Sequence, residues 1–266
     1  MTALHLIRLP VDMKALFRWA AERNLGQTDG GGFDDGRVLH HLLSEAFGKG
    51  RLQPFRLVVE PRGGRGSLYA YCRADAAGLR DEAHAVAPPE HLGVIDLAAL
   101  AGKPMPDDWR TGRRLGFEIR ARPVRRLLKP LAEAGKRPFA EGDEVDAFLV
   151  AVLRHPVEDR TPDHPSGGRE LSREVVYAGW LAERLAGAAT LAAVRLDSFR
   201  RHAASRKGRQ GGAATLEGPD ALLRGELEIG DPEAFQLALE KGVGRHRAYG
   251  FGMLMLRPAA GGSTGC

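Results

Sequence analysis

The sequence predicts an α+β protein of two tandem ferredoxin-like (RRM-like) βαββαβ units, and three observations carry that expectation. Breaker residues divide each half into elements in that order. The 266 residues suffice for two domains of roughly 100 residues or more each. A glycine-rich loop, KGVGRHRAYGFGMLML from Lys241 to Leu256, joins the last helical pattern to the last apolar run.

In the first half, Leu4 to Leu9 alternates and reads as a short strand ended by Pro10. Asp12 caps a helix in which Met13, Leu16, Phe17 and Ala20 recur at helical spacing. Gly30, Gly31 and Gly32 break the chain, and Asp34 or Asp35 caps a second helix that stops at Gly48. Leu52 to Glu60 and Ser67 to Arg73 read as strands joined by PRGGRG, Asp75 to Ala85 as a helix, and Leu92 to Leu97 as a strand. Gly102 to Asp108, with two prolines, reads as a linker, which sets the units at 1–101 and 110–258.

The second half repeats the plan. Leu115 to Arg122 is a strand ended by Pro123, and helical patterns occupy Val145 to Leu153 and Arg173 to Leu185. HPVEDRTPDHPSGG between them is a loop. Leu191 to Phe199 is a strand running into the basic stretch RRHAASRKGRQGG, and Ala221 to Ile229 is another. Asp231 and Pro232 open a helix as N-cap and first residue, and Met253 to Leu256 closes the sheet. The tail, 259–266, reads as disordered.

The second helix of the first half, GRVLHHLLSEAFG, rewards reading face by face. At about 100° per residue, Leu39, Leu42, Leu43, Ala46 and Phe47 form one apolar stripe. His41 points away from it toward solvent. His40 lies on the flank, with Arg37 one turn before and Ser44 one turn after. A flank position lets packing hold a ring while its tip meets a ligand; the plain alternative is two surface imidazoles.

Charge narrows the partners. Lys and Arg number 39 against 34 Asp and Glu, a net charge of +5. Arg110 to Lys129 holds eight basic residues against Glu118 alone, and Arg195 to Arg209 holds six against Asp197 alone. Solvated faces usually mix signs, so both runs point to an anionic partner. The loop adds Arg245, His246 and Arg247 between four glycines, which tolerate φ > 0 and close approach; the plain reading is a tight connection with solvated arginines. It matches neither nucleotide signature, because it follows a helix and precedes a strand. Cys72 and Cys266 are too few for a disulfide framework, and the nine histidines form no metal-ligand cluster. No apolar run approaches the roughly 20 residues of a membrane span, and no signal peptide is present, so the chain reads as cytoplasmic.

The first strand, the LHHLL helix, FEIRARPVRR, REVVYAGWLAERL and the block LLRGELEIGDPEAFQLALEKGVGRHRAYGFGMLML together resemble the CRISPR-associated repeat-RNA endoribonucleases, in particular the type I-E Cascade (CasE) family. The resemblance implies metal-independent cleavage of pre-crRNA at the base of the repeat hairpin, with no small-molecule cofactor. The ribose 2′-OH attacks the adjacent phosphate and a 5′-OH leaves. The family histidine matches His40, on a catalytic helix in the N-terminal unit. Arg37 stands where relatives can carry a tyrosine and is expected to clamp phosphate. Glu45 stands where they can carry a lysine and cannot play its part. The RNA surface is expected from Arg113, Arg114, Arg120, Arg122, Arg125, Arg126, Arg200, Arg201, Arg206, Lys207, Gly244, Arg245, His246 and Arg247. The implied partners are the repeat RNA hairpin, kept after cleavage, and the other Cascade subunits. The alternative is a non-catalytic hairpin-binding subunit of the same fold. A nucleotide-dependent transferase fits less well, because no strand–loop–helix order supports it.

Overall fold

The computed structural model describes residues 3–28, 32–61, 64–132, 138–154, 171–207 and 213–259. The loop expected from 155 to 168 lies outside them, as do 260–266 of the expected tail. Strand β1 (His5–Asp12) runs through Pro10 instead of stopping there. The Pro10 carbonyl accepts a bond from the Asp96 amide at 3.0 Å. Its missing N–H therefore faces the same way, beyond Arg8, the last residue of β1 that pairs with the neighbouring strand on that side. Asp12 caps α1 (Met13–Glu22) and Asp34 caps α2 (Asp35–Phe47), each accepting from a backbone amide at 2.9 Å.

The first sheet adds β2 (Phe55–Val59), β3 (Arg65–Cys72) and β4 (Ala101–Pro104), in the order β2-β3-β1-β4, with α3 (Ala76–Val86) and the short α4 (Pro89–Leu92) between β3 and β4. The fourth strand is thus not Leu92 to Leu97. Val94, Ile95 and Leu97 are buried, but they plug the core from an irregular segment that makes one isolated bridge, Val11 to Ile95. All four residues of β4 are exposed, so it gives no apolar signal and falls in the stretch read as linker.

The second sheet has the same order, β10-β5-β9-β8. It comprises β5 (Arg114–Ala121), the long hairpin of β8 (Ala189–Lys207) and β9 (Ala213–Ile229), and β10 (Leu254–Arg257). Helices α6 (Arg173–Leu185) and α7 (Pro232–Lys241) make the two crossovers. A two-stranded ribbon of β6 (Val124–Arg126) and β7 (Glu144–Asp146) leads into α5 (Ala147–Arg154). Two register shifts in β8 and a polar outer half hid the hairpin's length from the alternation pattern.

Strand alternation couples the halves. Ile7, Leu9, Leu68 and Ala70 enter the first core, with Leu16, Leu39, Leu42 and Phe55. Leu6, Tyr69 and Tyr71 turn the other way, into the second core of Phe117, Ile119, Trp180 and Phe235. Buried Tyr71 donates its hydroxyl to the Leu254 carbonyl at 2.9 Å, and burial raises its pKa. Arg73 pairs with Glu240 across the same junction. The central strands β1 and β3 therefore pack on both faces, one of them against the second unit. Among the described residues no helix is long and apolar enough to cross a membrane.

Candidate functional site

Helix α2 lies where the two units meet. Its stripe, Val38, Leu39, Leu42, Leu43, Ala46 and Phe47, is buried, which leaves His40 half-buried on the flank. Its neighbour His41 is half-buried too, not fully solvated, and its ring lies 5.6 Å from His40. From the glycine loop, Tyr249 brings its ring to 5.1 Å from His40 at a tilt of 46°. The His40 Nδ1 is buried without a hydrogen-bond partner among the described residues, which leaves Nε2 for a ligand. Burial lowers the His40 pKa below its ordinary 6.5, and the neighbouring His41 and Lys49 lower it further. The side chain of Arg37, one turn earlier, makes no ion pair with another described residue. Glu45 is occupied: its carboxylate meets Nε2 of fully buried His91 at 2.9 Å, tying α2 to α4.

The glycine loop is built for close approach. Tyr249 ends a 3-10 turn, Arg247–Tyr249, bracketed by two left-handed residues, His246 (φ 64°) and Gly250 (φ 79°). A Cβ on Gly36 of α2 would lie 2.3 Å from the Tyr249 carbonyl oxygen, so only glycine lets helix and loop meet there. Gly244 (φ 80°) rests on the Trp180 ring. Beside the loop opens a polar groove of about 790 Å³, lined by Gly50 and Gln53 of the first unit and by Lys241, Arg245, His246, Arg247 and Tyr249. Its basic side chains are partly engaged. Arg245 and His246 share Glu144, at 2.6 and 2.7 Å, and Arg247 donates to the Lys241 carbonyl at 2.6 Å. His246 is nearly buried, which makes it a brace for the loop, whereas Arg245 and Arg247 stay exposed.

The basic run from Arg113 to Arg126 is not one surface. Arg120 is 5% exposed and Arg122 2%, so the two arginines expected on the RNA surface lie largely inside the fold. Arg120 grips both carboxylate oxygens of buried Asp220 at 2.9 and 2.8 Å and reaches Asp35, at the start of α2, at 3.5 Å. Its guanidinium also lies 4.6 Å from the Phe251 ring. Burial disfavours the Asp220 charge, but the Arg120 bonds and the nearby Arg200 prevail and hold its carboxyl at about 2. Arg122 packs beside Gly218, where a Cβ would lie 2.5 Å from its Nη2. Alternating charges along a strand cannot reveal such burial, because the partners Asp35 and Asp220 are remote in sequence.

The other expected RNA residues are dispersed. Arg113 stacks on Trp109 at 5.4 Å and Arg114 pairs with Glu228 at 3.1 Å, at the far end of β5. Six residues of strand separate Arg114 from Arg120, roughly 20 Å. Arg125 pairs with Glu183 at 2.7 Å, and Arg126 is exposed beside Gly142. Arg200 and Arg201 are exposed on the hairpin, near Asp220 (2.7 Å) and Glu217 (3.6 Å). Arg206 and Lys207 end β8, where the structure describes the backbone alone. One group of possible metal ligands occurs among the described residues: Asp34, Asp35 and His202, with ligand atoms within 4.8 Å of one another. Arg120 already supplies a cation to Asp35, and the N-terminus of α2 repels a second one. The sequence did not single out Tyr249, Gly36 or Asp220, whose importance arises from contacts between distant elements.

Two ferredoxin-like sheets joined through a histidine-bearing helix and a glycine loop define the class of protein. The chain belongs to the CRISPR-associated protein family, whose model matches residues 4–258. It is similar in fold to CRISPR endoribonuclease Cse3 bound to a 19-nucleotide RNA, with 22% identity, a TM-score of 0.58, and coverage of 96% of this chain and 100% of the other. It is also similar to Thermus thermophilus Cse3 bound to an RNA representing a pre-cleavage complex, with 21% identity, a TM-score of 0.54, and coverage of 96% and 100%. Cas6e from Escherichia coli K-12 matches at 17% identity and a TM-score of 0.51, covering 96% and 99%. No curated protein matches the chain.

Proposed function

We propose that the chain is a metal-independent endoribonuclease that cuts pre-crRNA at the base of each repeat hairpin, keeps the hairpin, and serves as a Cascade subunit. The observation that carries this reading is His40, half-buried and neutral-leaning at the junction of the two units. Neutral imidazole accepts a proton near pH 7. His40 takes the proton of the ribose 2′-OH as the 2′-oxygen bonds to phosphorus. The P–O5′ bond breaks, the leaving oxygen takes a proton from water to become a 5′-OH as His40 returns its own to solvent, and a 2′,3′-cyclic phosphate remains. The nucleophile belongs to the RNA itself, so no metal is needed to generate one. Arg37, one turn along α2, holds the phosphate oxygens as their charge grows. Arg245, Arg247, Arg126, Arg200 and Arg201 offer exposed charge for the hairpin backbone, which in A-form RNA is held mostly by phosphate and shape.

The second reading, a non-catalytic hairpin-binding subunit, draws on Glu45, whose carboxylate is committed to His91 and brings no cation to His40. A cleavage assay on repeat RNA with chelator present separates the two. The enzyme reading expects a single cut that persists in chelator and stops on 2′-deoxy substitution upstream of the scissile phosphate. RNA that is bound tightly and never cut would leave the binding subunit.

A further inference from the structure

We infer that Tyr249 is a positioning residue for His40, acting through its ring. Gly36 and His40 stand one turn apart on the same face of α2. The Tyr249 backbone seats on the first, where no Cβ intervenes, and its ring lies against the second at 5.1 Å. The seat is rigid from the loop side as well. The Tyr249 amide bonds to the His246 carbonyl at 2.9 Å, and His246, left-handed and nearly buried, is pinned to Glu144. A loop of the second unit thus fixes the imidazole of the first.

Two effects follow from that contact. The ring restricts the rotation of His40, so that Nε2 keeps one direction. It also excludes water from one side of the imidazole, the kind of burial that favours the neutral form. Neither effect needs the phenol hydroxyl. The same arrangement makes the site a joint product of both units: if loop and helix separate, His40 loses its orientation even though α2 stays folded.

The inference rests on the cleavage reading for its rate test but not for its titration test. Single-turnover cleavage, hairpin affinity and the NMR titration of His40 are compared in wild type, Tyr249→Phe and Tyr249→Leu. Tyr249→Phe should stay within about twofold of wild type, whereas Tyr249→Leu should cleave about tenfold slower or worse at nearly unchanged affinity. The His40 pKa should rise toward 6.5 in Tyr249→Leu and stay low in Tyr249→Phe. Gly36→Ala, which unseats the loop but keeps the ring, should reproduce the Tyr249→Leu titration. A wild-type rate and titration in Tyr249→Leu would overturn the inference. Equal damage in Tyr249→Phe would also overturn it, by assigning the role to the hydroxyl. If wild type never cleaves, the function reading fails while the titration still decides whether Tyr249 positions His40.

Discussion

His40 can be removed without opening the core, because it flanks the stripe of Leu39, Leu42 and Leu43 and does not belong to it. His40→Ala should therefore slow cleavage by about 10²-fold or more while hairpin affinity and unfolding midpoint change little. Its lowered pKa gives the reaction a pH signature. A base works only when unprotonated, so the rate should fall as pH drops through a value below 6.5. Removing the neighbouring cation by Lys49→Ala should move that limb up toward 6.5, as a rate–pH profile would show. A limb that stays fixed would mean another group titrates. The periodicity of α2 was enough to place His40 on a flank, since that position depends only on its own helix. The ring facing it was not legible, because Tyr249 reaches α2 only through the fold of the second unit.

At the scale of elements, the helices were legible from local signals and the strands less so. Asp12, Asp34, Asp75, Asp231 and Ser172 each cap a helix through a side-chain bond to the third residue on, a contact written into the nearby sequence. Strand β4 and the outer hairpin have no apolar alternation to betray them, since they are exposed or polar and are held by backbone ladders. The glycine loop was legible as a tight approach but not what it approaches. Gly250 and Gly112 make a paired test. Both have φ near 80°, but a Cβ on Gly250 would come within 3.2 Å of Phe55, whereas one on Gly112 meets nothing within 4 Å. Alanine at either position should cost roughly 1–3 kcal/mol of backbone strain, read by urea unfolding. Only Gly250→Ala should also slow cleavage, because Gly250 adjoins Tyr249. Equal cleavage by the two variants would reduce the loop to a connector.

Across the whole molecule, the excess of arginine points to an anionic partner, but part of it is spent internally. Arg120 links β5, β9 and the start of α2 through Asp220 and Asp35, with Arg200 closing on Asp220 from the hairpin. A charge tally cannot separate such a clasp from an RNA-facing arginine, because burial is set by the packing of the two units. The clasp has its own acid dependence. The Asp220 carboxyl is held at about 2 in the folded protein, against roughly 3.9 when unfolded. A depressed carboxyl contributes its full stability above the unfolded value and loses it as pH falls through the folded one. That contribution, on the order of 2 kcal/mol, should thus be present at pH 6 and fade between about pH 4 and pH 2. Asp220→Asn keeps the shape and removes the charge, so urea unfolding should find it less stable than wild type at pH 6, with the gap narrowing as acid is added. Arg120→Met should be worse at pH 6, by about 3–5 kcal/mol, since it leaves buried carboxylate without its main partner. Acid should relieve that variant as Asp220 protonates. A gap between wild type and Asp220→Asn that ignores pH would show that the clasp holds by shape, and that charge does not join α2 to the second unit.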